Sequence, residues 1–337
     1  MWVKPSKQAF NCKLPRVNPR IRIIRHLPST PSPLASALSI GNFDGVHLGH
    51  QAMLTQVVQA AAARKLTPSV LTFTPHPRIY FANLTNQPER APSTINSLRD
   101  RLRLLSNFGI EQITLLKFNQ ALATMAPQTF VETLLIQQLK TKWLLVGQDF
   151  KFGHQRRGDI QLLQHYAGRG DFELSTIKDI DDSQGQRISS SSVREALSLG
   201  DMGQALKRLG HPFTISGHVK HGQKLGRTLG FPTLNISVAP RCSLKIGIYV
   251  VRVQGLGHLP LMGVASLGRR PTVTETGHLL LEVHLIDKTI DAYGKIVCVD
   301  FLHFLRGEEK FSSLETLTLA MQKDTLHARQ YFAENRL

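Results

Sequence analysis

Apolar positions in the first half of the chain gather in short blocks at residues 38–43, 70–73, 113–118 and 143–146, each of strand length and bounded by polar stretches. Between the blocks the period changes. Leu54, Val57, Val58, Ala61 and Ala62 fall three and four apart, which predicts a helix over 49–65. The same spacing predicts helices over 95–108, ending at Gly109, and over 127–139. Strands alternating with helices imply a parallel sheet covered on both faces, with ligands bound beyond the carboxyl ends of the strands. Two segments lie at such ends: GNFDG after the first core block and VGQDFKFG after a later one.

Two helical stretches, 193–199 and 202–209, each stop on a glycine, Gly200 and Gly210. From His211 the pattern becomes one of short alternating segments at 213–219, 247–253, 261–265, 280–286 and 296–301, which predicts a small antiparallel barrel. An amphipathic helix over 314–332 follows, with Leu317, Ala320 and Met321 on its apolar side. The expected organisation is a basic extension (1–20), an α/β domain (21–200), a helical linker (201–210) and a barrel domain (211–337). No internal repeat is visible.

Composition narrows the class. Among 337 residues, 42% are hydrophobic and 19% charged, the balance of a globular protein with two cores. No apolar run approaches a membrane span. Cys12, Cys242 and Cys298 have no metal-ligand spacing and form no even framework, which points to a reducing, cytoplasmic setting. The net charge of +17 suits nucleic acid, an anionic membrane or small polyanionic substrates, and charge by itself does not choose among them. Lys4, Lys7, Lys13, Arg16, Arg20, Arg22 and Arg25 meet no acidic residue, and no secretory signal core interrupts them. That tail reads as a solvated extension or as an electrostatic contact with RNA or a partner.

The stretch GNFDGVHLGH (41–50) puts a strand-to-helix turn, Gly41, Asn42, Phe43 and Asp44, before two histidines at a helix N-terminus, where free N–H groups and the dipole attract phosphate. His47 and His50 would add donors, and Gly49 removes a side chain from their midst. A lone HxxH also fits surface, core or metal-ligand histidines. ISSSSVR (188–194) places Ser189, Ser190 and Ser191 at the start of another helix with Arg194 on its first turn, a second phosphate cradle or a plain helix cap. GQKLGRTLGFPTLNI (222–236) spaces Gly222, Gly226 and Gly230 four apart, includes Arg227, and continues into Thr233 and Asn235, oxygen groups of the kind that hold Mg²⁺ with a nucleotide. It is not a P-loop, and the glycines also suit a barrel turn.

With GNFDGVHLGH and ISSSSVR in this order, the first half resembles the HxGH nucleotidyltransferase superfamily, and within it the amino-terminal half of the bacterial bifunctional riboflavin kinase/FMN adenylyltransferase, or FAD synthetase, family. FTPHPR (73–78) and VGQDFKFG (146–153) extend the match, and the resemblance implies that Phe73, Pro75, His76, Asp149 and Phe152 line the flavin side. An isoalloxazine ring wants such aromatic and apolar walls. In the second half the glycine loop and PTLN are similar to the riboflavin kinase signature Pro-Thr-Ala-Asn, with Leu234 as a departure that should point to the opposite strand face. LEVHLID (281–287) maps the family's catalytic acid residue onto Glu282, while GRRPT (268–272) and LRGEEKF (305–311) carry the likeness onward, with Arg306 on the flavin side and Ser266 where relatives commonly have Asn.

The resemblance implies a Rossmann-like parallel-sheet domain followed by an antiparallel β-barrel kinase domain with a C-terminal helix. It implies ATP as substrate and Mg²⁺ held by Thr233 and Asn235. It makes His47, His50, Arg194, Glu282 and Asn235 the catalytic set. Riboflavin, FMN and ATP are the implied partners, with no obligate nucleic acid and no membrane, and a homo-oligomer is left open. Rival readings are another adenylyltransferase of the superfamily, a class I aminoacyl-tRNA synthetase, and a binding protein that has lost catalysis. The appended barrel, the absence of an anticodon-binding region and the full residue set argue against them in turn.

Overall fold

The computed structural model describes residues 21–25, 30–222, 225–269 and 279–335. The basic extension, Gln223, Lys224, Arg270, Pro271, Thr272 and the side chain of Arg227 lie outside the described residues. The chain forms two compact units: one from the described residues of 21–93 and 101–190, the other from 94–100 and 191–335. The boundaries expected at 200 and 210 fall inside the second unit.

In the first unit, β1 (Arg22–Ile24), β2 (Ser36–Ile40), β3 (Thr67–Thr74), β4 (Gln112–Lys117), β5 (Thr141–Gly147) and β6 (Glu173–Ile177) make a sheet in the order β1-β4-β3-β2-β5-β6. All pairings are parallel. Both faces are covered, which is why the central strands read as unbroken apolar runs. Leu38, Leu71 and Leu144 face one core, while Ala37, Val70 and Trp143, their chain neighbours, face another. The chain runs from β2 outward through β3 to β4, then returns to the other side of β2 with β5. The strand order therefore reverses between β2 and β5, the place where open α/β sheets bind ligands.

Several expected elements shift. The strand expected to reach Phe43 stops at Ile40, because Phe43, Gly45 and Val46 take left-handed φ values of 49°, 87° and 42°. The helix expected from Ile95 begins at Leu98, where the Ser97 hydroxyl accepts from the Asp100 backbone N–H at 3.1 Å and donates to its carboxylate at 2.7 Å. The stretch 127–139 makes one α turn, Pro127–Thr129, and continues in π register over Phe130–Gln138. β1, β6 and the helices Pro77–Leu84 and Ile160–Gly168 were not signalled by periodicity.

In the second unit, β7 (Phe213–Lys220), β8 (Thr233–Ser237), β9 (Gly247–Gln254), β10 (Leu261–Arg269), β11 (Leu279–Leu285) and β12 (Ile296–Arg306) close a barrel in the order β10-β11-β8-β7-β12-β9. Leu234, Val251, Val283 and Val299 fill the interior. Helices Ser190–Leu199 and Met202–Leu209 contribute Val193, Leu197, Met202 and Leu209 to the same cluster, so they are part of this core rather than a free linker. The C-terminal helix Leu314–Asn335 packs Ala328 and Phe332 on Val250 and Ile286, outside the barrel.

Candidate active sites

Three motifs in the first unit lie at the carboxyl ends of three adjacent strands: FTPHPR at the end of β3, GNFDG after β2 and GQDFKFG at the end of β5. The GNFDG turn is tightly wound. Phe43 and Val46 are fully buried at left-handed φ, a conformation that a bulky or β-branched residue adopts at a cost of roughly 1–3 kcal/mol. Such strain persists where surrounding contacts hold it. His47 caps helix Leu48–Arg64, and His50 sits in its first turn. Their rings stack with centroids 3.7 Å apart, and Phe43 lies 5.2 Å from His50. A Cβ at Gly49 would press on the His47 ring at 3.2 Å, so the glycine preserves the histidine pair. No acidic residue occupies the first turn of that helix, leaving its positive end available to an anion.

Ser190 donates its hydroxyl to the Asp44 carbonyl at 2.8 Å, which brings the serine motif onto the histidine turn although 146 residues separate them. Arg194 lies farther along the helix that Ser190 begins, in the second unit. Ser189 is half-buried and Ser191 exposed.

On the expected flavin side, Phe73 meets Phe118 edge to face at 5.8 Å, and Tyr80 and Phe81 approach Phe118 at 5.4 and 5.7 Å. These three partners escaped the sequence reading, though IYF directly continues FTPHPR. Pro75 and His76 lead into helix Pro77–Leu84, where His76 Nδ1 accepts from the Arg78 N–H at 3.1 Å. Asp149 is exposed and pairs with Arg187 at 3.3 Å. Phe152 is buried in the core against Phe130, with the half-buried Phe150 stacked on it at 5.5 Å. Phe152 therefore seats the loop, and Phe150 is the more open ring.

The second site is built by strand register. Asn235 of β8 lies opposite Glu282 of β11, Glu282 opposite Ser266 of β10, Ser266 opposite Ile248 of β9, and Ile248 opposite Arg306 of β12. Directly paired residues share a face, so these five form one belt around the outside of the barrel. Their neighbours Leu234, Val283, Ala265 and Tyr249 form the matching inner row, which explains why leucine is tolerated between Thr233 and Asn235.

The belt opens on a cavity of about 630 Å³ lined by Glu282, Ser266, Ile248, Arg306 and Thr233 from the barrel side and by Leu317 and Met321 from the C-terminal helix. Arg306 donates Nε to Asp324 Oδ1 at 2.9 Å and Nη2 to Oδ2 at 2.7 Å. That hydrogen-bonded carboxylate raises the guanidinium's pKa further. Thr233 also lines a second cavity, of about 420 Å³, with Lys288, Asp291 and Tyr293.

Asn235 is 6% exposed, and its Oδ1 is buried with no hydrogen-bond partner among the described residues. A Cβ at Gly222 would lie 2.5–2.6 Å from the Asn235 amide, so only glycine lets the loop close on it. At Gly226 a Cβ would run into the Phe231 carbonyl, and Gly230 has a φ of 83°.

Comparison with known proteins follows the same division. Residues 30–192 match the FAD synthetase family and residues 209–332 the riboflavin kinase family. The chain is 40% identical over 312 residues to the bifunctional riboflavin kinase/FMN adenylyltransferase of Escherichia coli K12, covering 93% of this chain and 97% of that protein. It is 39% identical to the Haemophilus influenzae protein of that name, over 88% and 94% of the two chains. A solved structure from Streptococcus pneumoniae, described as a macrolide-efflux protein, superposes with a TM-score of 0.76 at 30% identity over 92% of this chain and 99% of that one.

Proposed function

The chain belongs to the bifunctional riboflavin kinase/FMN adenylyltransferase family, and on that premise we propose how its two units share the work and which residues carry each step. The enzyme phosphorylates riboflavin with ATP to FMN, and joins FMN to the AMP part of ATP to give FAD and pyrophosphate.

We assign adenylylation to the parallel-sheet unit. An oxygen of the FMN phosphate attacks the α-phosphorus of ATP, the bond to the bridging oxygen breaks, and pyrophosphate leaves. No covalent enzyme intermediate is needed, so the protein's task is alignment and stabilisation of charge. His47, His50, Ser189, Ser190 and the backbone of Gly41–Asp44, all in this unit, supply donors to the phosphates. Phe73, Pro75, His76 and Asp149 border the flavin, with Phe152 holding their loop.

The barrel unit performs the kinase step. Glu282 accepts the proton of the 5′-hydroxyl as that oxygen attacks the γ-phosphorus, and ADP leaves. Riboflavin occupies the larger cavity beside Glu282 and Arg306, and the nucleotide occupies the side bordered by Lys288 and Tyr293. Gly222, Gly226, Arg227 and Gly230 wrap its phosphates. Magnesium fits this donor set, because Asn235 carries a buried orphan oxygen and shares its strand face with Thr233, two residues before it. Bound there, it would neutralise charge on the phosphates. Three scattered cysteines without metal-ligand spacing support a reducing, cytoplasmic setting for both reactions.

The observation that carries this division is that each set of groups is assembled within its own unit, Ser190 on Asp44 in one and Glu282 opposite Asn235 in the other. Incubating the protein with riboflavin, ATP and Mg²⁺, then separating the flavins by chromatography, tests it. His50→Ala should accumulate FMN, Glu282→Gln should make FAD only from supplied FMN, and chelation should stop phosphorylation. Equal loss of both activities in either variant would reject the assignment.

A further inference from the structure

Arg101 is a buried cation that no motif explains. It sits on helix Leu98–Asn107 with 9% of its surface exposed. Burial pulls its pKa below the usual value, and nearby Asp44 pulls it back up. A guanidinium stays charged through such shifts, so its desolvation must be offset by fixed partners. Two are in place. Nη1 donates to the Asn42 carbonyl at 2.9 Å, and Nη2 donates to the Phe73 carbonyl at 3.2 Å. The Thr72 hydroxyl also donates to the Asn42 carbonyl, at 3.3 Å.

These acceptors belong to different motifs. Asn42 immediately precedes the strained Phe43 in the turn that leads to His47, whereas Phe73 is the penultimate residue of β3 and opens FTPHPR. We propose that Arg101 is a positioning residue for adenylylation, fixing the spacing between the nucleotide turn and the flavin segment so that the FMN phosphate lies in line with the α-phosphorus. This rests on the assignment of adenylylation to the parallel-sheet unit. Arginine suits the role because one planar fork reaches two carbonyls on separate segments, which a lysine ammonium cannot do in fixed geometry. Misalignment acts on the transition state more than on either ground-state complex.

The test uses full-length Arg101→Met and Arg101→Lys with FMN and ATP. Emission from buried Trp143 on β5 checks the fold of that unit. Both variants should lose about 10- to 100-fold in adenylylation kcat, with FMN affinity, read from flavin fluorescence quenching, and KM for ATP held within about threefold. Riboflavin phosphorylation should be unchanged. Wild-type kcat in Arg101→Met, full rescue by lysine, or a loss confined to KM would overturn the proposal. If Arg101→Met does not fold, Arg101→Lys decides by the same criteria. His50→Ala run alongside separates the two failures: full adenylylation by that variant rejects the site assignment itself, while its loss beside a normal Arg101→Met rejects only the positioning role.

Discussion

The two sites proposed to hold phosphates and a flavin have opposite architectures. In the parallel-sheet unit the proposed phosphate site centres on one tight turn, within residues 41–50. The fold supports that turn with buried left-handed residues, Phe43 and Val46, and with a guanidinium clamp. Among the described residues of the barrel unit, no strained turn carries the belt groups. Asn235, Glu282, Ser266 and Arg306 are brought together by antiparallel pairing along ordinary strands. A turn concentrates function in sequence and stores strain. A belt disperses function and depends on register, since a slip of one residue would carry Glu282 to the inner face.

The largest expected effects test whether the two architectures are independent. Glu282→Gln keeps shape and hydrogen bonding but removes the base, and riboflavin phosphorylation should fall by about two to four orders of magnitude. Adenylylation of supplied FMN should be untouched. His50→Ala should do the reverse, cutting FAD formation by about two to three orders while FMN accumulates. Steady-state kinetics on each substrate reads both. A Glu282→Gln enzyme that phosphorylates riboflavin normally would remove that residue from the mechanism.

The same contrast explains what sequence reading reached. The alternation of apolar blocks and helical spacing gave the parallel sheet and the change to a barrel, because both patterns are local. The histidine turn was legible for the same reason. Arg101 was hidden, since one arginine in an amphipathic helix looks like a solvated position and its acceptors lie 59 and 28 residues away. The register that sets Glu282 opposite Ser266, and Ser266 opposite Ile248, was hidden because register is a non-local property. The stretch PRIYFANL is short, with apolar residues on several sides, so its periodicity is too weak to mark helix Pro77–Leu84. The role of helices Ser190–Leu209 in the barrel core was missed because two glycine stops resemble a linker.

An intermediate effect probes the loop that closes on the belt. Gly222→Ala puts a methyl where the Asn235 amide now stands, so the loop or the amide must move. Phosphorylation should fall by about 10- to 100-fold, as misplacement of about an ångström does elsewhere. The Mg²⁺ concentration for half-maximal rate should rise, because the orphan Oδ1 is displaced on the strand face that Asn235 shares with Thr233. A magnesium titration of the variant at saturating ATP checks this, and an unchanged midpoint would detach Asn235 from the metal. Adenylylation should stay at its wild-type rate.

The smallest effect concerns how the belt is bounded rather than how it reacts. Arg306 closes the end of the belt and holds the C-terminal helix through two charge-assisted bonds to Asp324, which is 4% exposed. Arg306→Lys keeps the charge but cannot make the paired bonds, so the helix that walls the larger cavity loses part of its alignment. In the proposed assignment cavity shape governs flavin binding, whereas the place of Glu282 is set by its pairing with β8 and β10. KM for riboflavin should therefore rise about three- to tenfold with kcat changed less than twofold, the signature of lost ground-state binding. Initial-rate measurements across riboflavin concentrations distinguish the outcomes. A fall in kcat with KM unchanged would mean that Arg306 touches the reacting groups, and the belt would then be catalytic along its whole length.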